Sequence, residues 1–167
     1  MLAVLIITFG ILSRIVIHTP NFTPILSLVL FGGMYLKGRQ GLWVPLVLMM
    51  ISDIIIGFHD TLFFTWGTIV LIALIGVWLR SNKSIRNILL TSIASSLLFF
   101  IITNLAAWPT LYPKTWEGLQ TCFIAALPFY RNTLVSTALY TALLFGSYEW
   151  IAGRIKHTEL SKVLLVS

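Results

Sequence analysis

Six apolar runs separated by short polar turns make up most of this chain, at residues 1–17, 24–36, 42–58, 61–79, 88–107 and 133–153. Apolar side chains account for 58% of its 167 residues and charged ones for only 10%, against about 25% charged in a soluble domain. So many apolar groups cannot be hidden in a core of this size, and the composition argues against a water-soluble globule and a disordered chain. A lipid bilayer is the remaining solvent, and a helix needs about 20 mostly apolar residues to cross it. The expected fold is all-α, a polytopic membrane protein with six transmembrane helices in one compact bundle over residues 1–167.

The turns support this division. The first run has no basic residue before it and no small-x-small cleavage pattern after it, so it reads as a retained helix rather than a removable signal peptide. Pro20 and Pro24 stop the chain from continuing as helix, with Thr23 as the expected N-cap of the second run. Lys37-Gly38-Arg39-Gln40-Gly41 and Arg80 to Asn87 are polar turns. The longest connection, 108–132, holds Pro109, Pro113 and Pro128; its middle, Trp116 to Leu127, has helical composition. Long loops tend to be functional.

Counted on alternating sides of the runs, Lys37, Arg39, Arg80, Lys83, Arg86, Arg154, Lys156 and Lys162 oppose Arg14, Lys114 and Arg131. The richer side is cytoplasmic by the positive-inside rule, which puts both termini inside. The net charge of +6 thus orients the chain and gives no reason to invoke nucleic acid. The single Cys122 excludes a disulfide framework, and no Cys/His cluster suggests a metal. Phosphate-cradling, zincin and nucleophile-elbow motifs are missing, so the expectation is neither an enzyme nor a cofactor carrier.

Polar residues inside the runs are where function is sought, because a charge at a helix centre costs about 2.5–3.5 kcal/mol on insertion scales. Arg14, His18 and Asn21 follow i, i+4, i+7 spacing at the outer end of the first run, and Asp53, Gly57 and Asp60 repeat it in the third. A rise of 1.5 Å per residue sets Asp53 about 17 Å from Leu42, slightly beyond mid-membrane. Thr103 and Asn104 close the fifth run on that side, and Arg131 and Asn132 open the sixth. The substrate-binding set is therefore Arg14, His18, Asn21, Asp53, His59, Asn104, Trp108, Arg131 and Asn132. An Arg14–Asp53 ion pair that simply fixes two helices is the competing structural reading. Small residues mark expected helix contacts: Ala138, Ala142 and Gly146 in the sixth run, and Thr91/Ser95 with Ser92/Ser96 in the fifth. Glu149 lies near Arg154 in sequence and takes no role.

The segment from Arg14 through Pro24-Ile25, with Leu30-Phe31-Gly32-Gly33, Ser52-Asp53, Gly57-Phe58-His59, Thr103-Asn104 and Pro128-Phe129, resembles an uncharacterised bacterial six-helix membrane family. More distantly it resembles the S components of energy-coupling-factor transporters. That resemblance implies a bacterial inner-membrane protein that captures a vitamin-like solute in an outward-facing pocket. It also implies partners, a transmembrane coupling subunit and ATPase subunits. The Ala-x-x-x-Ala docking face common in S components is replaced here by Ala3 and Ile7. The loops around Pro20/Pro24 and Pro109/Pro113 would serve as lids. A related architecture in the rod-shape-determining membrane protein D implies the alternative, a non-transporting scaffold of a cell-envelope complex.

Overall fold

The computed structural model of the protein describes residues 20–57 and 60–158, together with Leu5, Thr8 and Leu12. Apart from those three helical positions, the helix expected over residues 1–17 lies outside the described residues. The rest is all-helical. Five helices follow one another: α1 (Ile25–Tyr35), α2 (Gln40–Ile56), α3 (Leu62–Leu79), α4 (Ile85–Leu111) and α5 (Trp116–Ile155). Two of them, α3 and α4, are long and apolar enough to cross a membrane. With 11 residues, α1 is about 16 Å long, short of a roughly 30 Å hydrocarbon layer.

Short turns make successive helices antiparallel, so α1, α3 and α5 run one way and α2 and α4 the other. Among the described helices the centre of the bundle is α1, which packs against each of the other four and is buried from Ile25 to Met34. A helix apolar all round has no face to give to water. Its closest neighbour is α3, because glycine meets glycine: a Cβ on Gly76 would lie 2.5 Å from the Leu30 carbonyl oxygen and 2.9 Å from Gly33 Cα. Toward α5, Ser27 donates to the Thr137 carbonyl at 2.8 Å and receives the Thr141 hydroxyl at 3.0 Å. Phe31 fills the space below, edge-on to Phe145 and Tyr148 with both centroids at 5.3 Å.

Long-range side-chain bonds close one end of the bundle. Arg80, just after α3, donates from Nε to the Gly33 carbonyl at 2.8 Å and from Nη2 to the Leu36 carbonyl. Those carbonyls belong to the last turn of α1 and the residue after it, where helix partners run out. Glu149 accepts from Lys83 at 2.5 Å and from the Tyr35 hydroxyl, which ties α5 to α1 and to the start of α4. The sequence neighbour Arg154 instead lies over the Trp150 ring at 5.3 Å, so Glu149 has a tethering role that its local sequence does not suggest.

The structure corrects the expected loop over 108–132. Pro109 lies inside α4 and Pro128 inside α5, a single helix of 40 residues and about 60 Å. Only 112–115 turn the chain. Thr115 caps α5 by accepting from Gly118 N at 3.1 Å, and exposed Glu117 is held below the usual carboxylate range by its own backbone amide and the Thr115 hydroxyl. The start of α1 differs slightly as well, since Pro24 rather than Thr23 is its N-cap and no side chain bonds there.

A second correction concerns small residues. Ala138, Ala142 and Gly146 are exposed, whereas α5 buries Thr133, Ser136, Thr137, Thr141, Phe145 and Tyr148. From Thr133 onward, helix contact on α5 is thus made by hydroxyl-bearing and aromatic residues, while its first part buries the small Gly118, Cys122 and Ala126. On α4 the hydroxyl face is the packed one, with Ser92, Ser95 and Ser96 buried.

Candidate functional site

At the end of the bundle where α1 and α3 begin, the helices leave a cavity of about 420 Å³. Asn21 and Thr23 border it ahead of α1, Thr61 and Thr65 at the start of α3, and Met49 from α2. The main walls come from α4 and α5. Phe99 and Phe100 are each followed four residues later by Thr103 and Asn104, so α4 offers one face carrying both aromatic and polar groups. Ala126, Phe129, Tyr130 and Thr133 repeat at i, i+3, i+4, i+7 on α5 and do the same. Phe100 and Tyr130 face each other across this wall with centroids 4.6 Å apart and planes at 35°.

Hydrogen bonding fixes what the polar groups can offer a ligand. The Thr65 hydroxyl donates to the Thr61 carbonyl at 3.2 Å, Thr103 to Phe99 at 2.7 Å and Thr133 to Phe129 at 3.0 Å. Asn104 Nδ2 donates to the Phe100 carbonyl at 2.7 Å. These are side chains bonded back onto their own helix.

The expected site residues divide by position. Asn21 and Asn104 line the cavity. Asp53 is buried, and its Oδ2 accepts the Trp66 indole N–H at 2.9 Å. One turn before it, Met49 reaches the cavity wall. Trp108 is not part of the described lining: its indole N–H donates to the Pro113 carbonyl at 2.9 Å. Gly118 presses against that same carbonyl so closely that a Cβ would overlap it. Trp108 therefore staples the α4–α5 turn, and the segment expected as the second lid is a helical hairpin. Arg131 is exposed, and Asn132 Nδ2 donates to the Pro20 carbonyl at 3.1 Å, holding the entry to α1. Arg14, His18 and His59 lie outside the described residues.

A family of unknown function, DUF6580, matches residues 1–160 of the chain. The chain belongs to that family. No curated protein and no solved structure matches it. What this DUF6580 protein holds, among the described residues, is a mixed aromatic and hydroxyl-lined hollow with no group of three or more His, Cys, Asp or Glu placed to bind a metal. Sequence reasoning reached Asn21, Thr103 and Asn104 and the outer-side aromatics Phe129 and Tyr130, but not the lining threonines 65 and 133 or the Phe99/Phe100 side of the aromatic wall. The i, i+4 repeat of Phe99/Thr103 and the matching Phe129/Thr133 pair carried that signal. A second hollow of about 590 Å³ lies near the opposite end, between Lys83, Ile88 and Leu89 of the α4 side and Ala142, Gly146 and Glu149 of α5.

Proposed function

We propose that this DUF6580 protein is the solute-capturing membrane component of a micronutrient importer, holding a small vitamin-like molecule in the cavity between α1, α3, α4 and α5. The observation that carries the reading is the position of that cavity. It lies at the end of the bundle away from Lys37, Arg39, Arg80, Lys83, Arg86, Arg154 and Lys156, and the positive-inside rule makes that basic end cytoplasmic. The cavity then opens outward, where a solute arrives. A volume of about 420 Å³ falls within the usual range for small-molecule sites.

Membrane embedding draws its support from α4. Leu89, Leu90, Ile93, Leu97, Ile101 and Leu105 form an exposed apolar stripe along it, about 24 Å tall. Water does not tolerate a continuous patch of that height on a monomer. In this reading the full chain is a six-helix inner-membrane bundle with both termini inside. Its work is binding and delivery rather than chemistry. The energy comes from a coupling subunit and ATPase subunits, as the resemblance to S components implies.

Native mass spectrometry of gently extracted protein tests the reading. A co-purifying small molecule, absent from an Ala126→Phe variant that fills the cavity, is the expected result. Repeated extraction with no bound solute, or a solute indifferent to that variant, overturns it. The exposed Ala138/Ala142/Gly146 edge beside the second hollow favours one other reading, a scaffold that docks a partner helix. Recovery of a stoichiometric partner protein with an empty cavity would decide for it.

A further inference from the structure

Four polar side chains around the cavity have already given away a hydrogen. A hydroxyl lying 2.7–3.2 Å from a carbonyl oxygen has to be the donor in that contact, because the carbonyl has no hydrogen to give. The hydroxyls of Thr65, Thr103 and Thr133 are therefore spent as donors on the carbonyls of Thr61, Phe99 and Phe129, and each keeps an oxygen able to accept. The same reasoning fixes the Asn104 amide. Its nitrogen must face the Phe100 carbonyl, so Oδ1 is its remaining acceptor. On the walls built by α3, α4 and α5, the three threonine oxygens and Asn104 Oδ1 thus outnumber the donors, which are the second Asn104 N–H and the Tyr130 hydroxyl that can turn either way, while Asn21, Thr23 and Thr61 border the cavity outside those helices.

We infer that the solute is a planar ring bearing two or more N–H donors, an amino-substituted nitrogen heterocycle. This rests on the capture reading above and names the chemistry of its ligand. The ring follows from the tilted Phe100–Tyr130 pair, 4.6 Å between centroids, whose faces and edges suit an aromatic partner. The N–H donors follow from the acceptor surplus. A polyol fits less well, because each of its hydroxyls brings lone pairs that would need donors from walls that have few to spare. An acceptor-only ring leaves its own lone pairs and those of the threonines facing each other, a mismatch that a desolvated site penalises.

Ligand-observed NMR on the full chain in lipid nanodiscs tests this with three small probes, 2,4-diaminopyrimidine, 2,4-dimethoxypyrimidine and inositol, each with and without the cavity-filling Ala126→Phe change. The expected result is cavity-dependent binding of the diamino compound alone. Thr103→Val, which removes one acceptor at nearly constant shape, should weaken that binding about fivefold, and Thr103→Ser should restore it. Cavity-dependent binding of the dimethoxy compound or inositol, equal to or tighter than that of the diamino compound, overturns the donor-rich assignment and leaves solute capture standing. Failure of every probe, together with no co-purifying solute by mass spectrometry, overturns both. Failure of every probe beside a co-purified solute that lacks N–H donors overturns the assignment alone.

Discussion

Arg80 shows how much a single side chain contributes here that its type does not announce. On composition it is one of the charges that orient the chain, yet its guanidinium reaches Gly33 and Leu36 carbonyls far away in sequence and also approaches the Gly38 carbonyl at 3.4 Å. A planar fork satisfies several orphan carbonyls at once and places positive charge at the negative end of α1. Arg80→Ala should destabilise the fold by about 2 kcal/mol, the scale of a charge-assisted hydrogen bond. In a chain of this length that is a drop of roughly 4–8 °C in melting temperature, measurable by fluorescence-detected thermal unfolding in detergent. Arg80→Lys should recover only part of it, and full recovery would assign the effect to charge alone. Asp53 teaches the same lesson from the other side: its cost in an apolar run was legible in the sequence, but its Trp66 partner comes from the next helix. Residue type says that a polar group needs a partner, and only packing says which one.

Helix contacts follow the same division. Apolar runs at 61–79 and 88–107 foretell α3 and α4 to within a few residues because nothing competes with helix inside them. The α4–α5 hairpin was not legible, since Pro109 and Pro128 remove backbone donors and ordinarily end a helix. Here each proline lies within a longer helix, Phe100 of α4 packs on Phe123 and Tyr130 of α5, and the Trp108–Pro113 bond holds the turn between the two helices. Small residues mislead for a related reason, because spacing shows that a stripe exists but not which way it faces. The two glycines of interest separate cleanly by experiment. Gly76→Ala drives a methyl group into the backbone of α1 and should cost about 3 kcal/mol, the upper end of core overpacking. Gly146→Ala meets nothing within 4 Å and should be neutral or stabilise by about 0.5–1 kcal/mol through helix propensity. Equal losses at the two positions, read as melting temperatures, would mean that the Ala138/Ala142/Gly146 edge is packed after all.

At the scale of the whole molecule, alternation of direction converts a one-dimensional charge pattern into two chemically different ends. The turns at 36–39 and 80–84 and the end of α5 gather most of the basic side chains and the Arg80 and Glu149 ties, while the turns at 20–24 and 112–115 and the start of α3 lie at the cavity end. The polar constellation read from the sequence is partly realised there: Asn21 and Asn104 share the hollow, and Asn132 braces its rim by bonding Pro20. Periodicity could place these residues at one end of the bundle but not rank them by direction, which depends on how α5 extends past α1 along α4. The two-ended arrangement makes a topological prediction that does not require the ligand. Cys122 is 3% exposed, so the native thiol should react little with a membrane-impermeant maleimide. Lys114→Cys, in the α4–α5 turn, should be labelled in intact cells. Ser81→Cys, in the α3–α4 turn, should be labelled only after the membrane is opened. Labelling of both positions in intact cells would remove the bilayer between the two ends, and the reverse pattern would turn the cavity toward the cytoplasm and away from any solute arriving from outside.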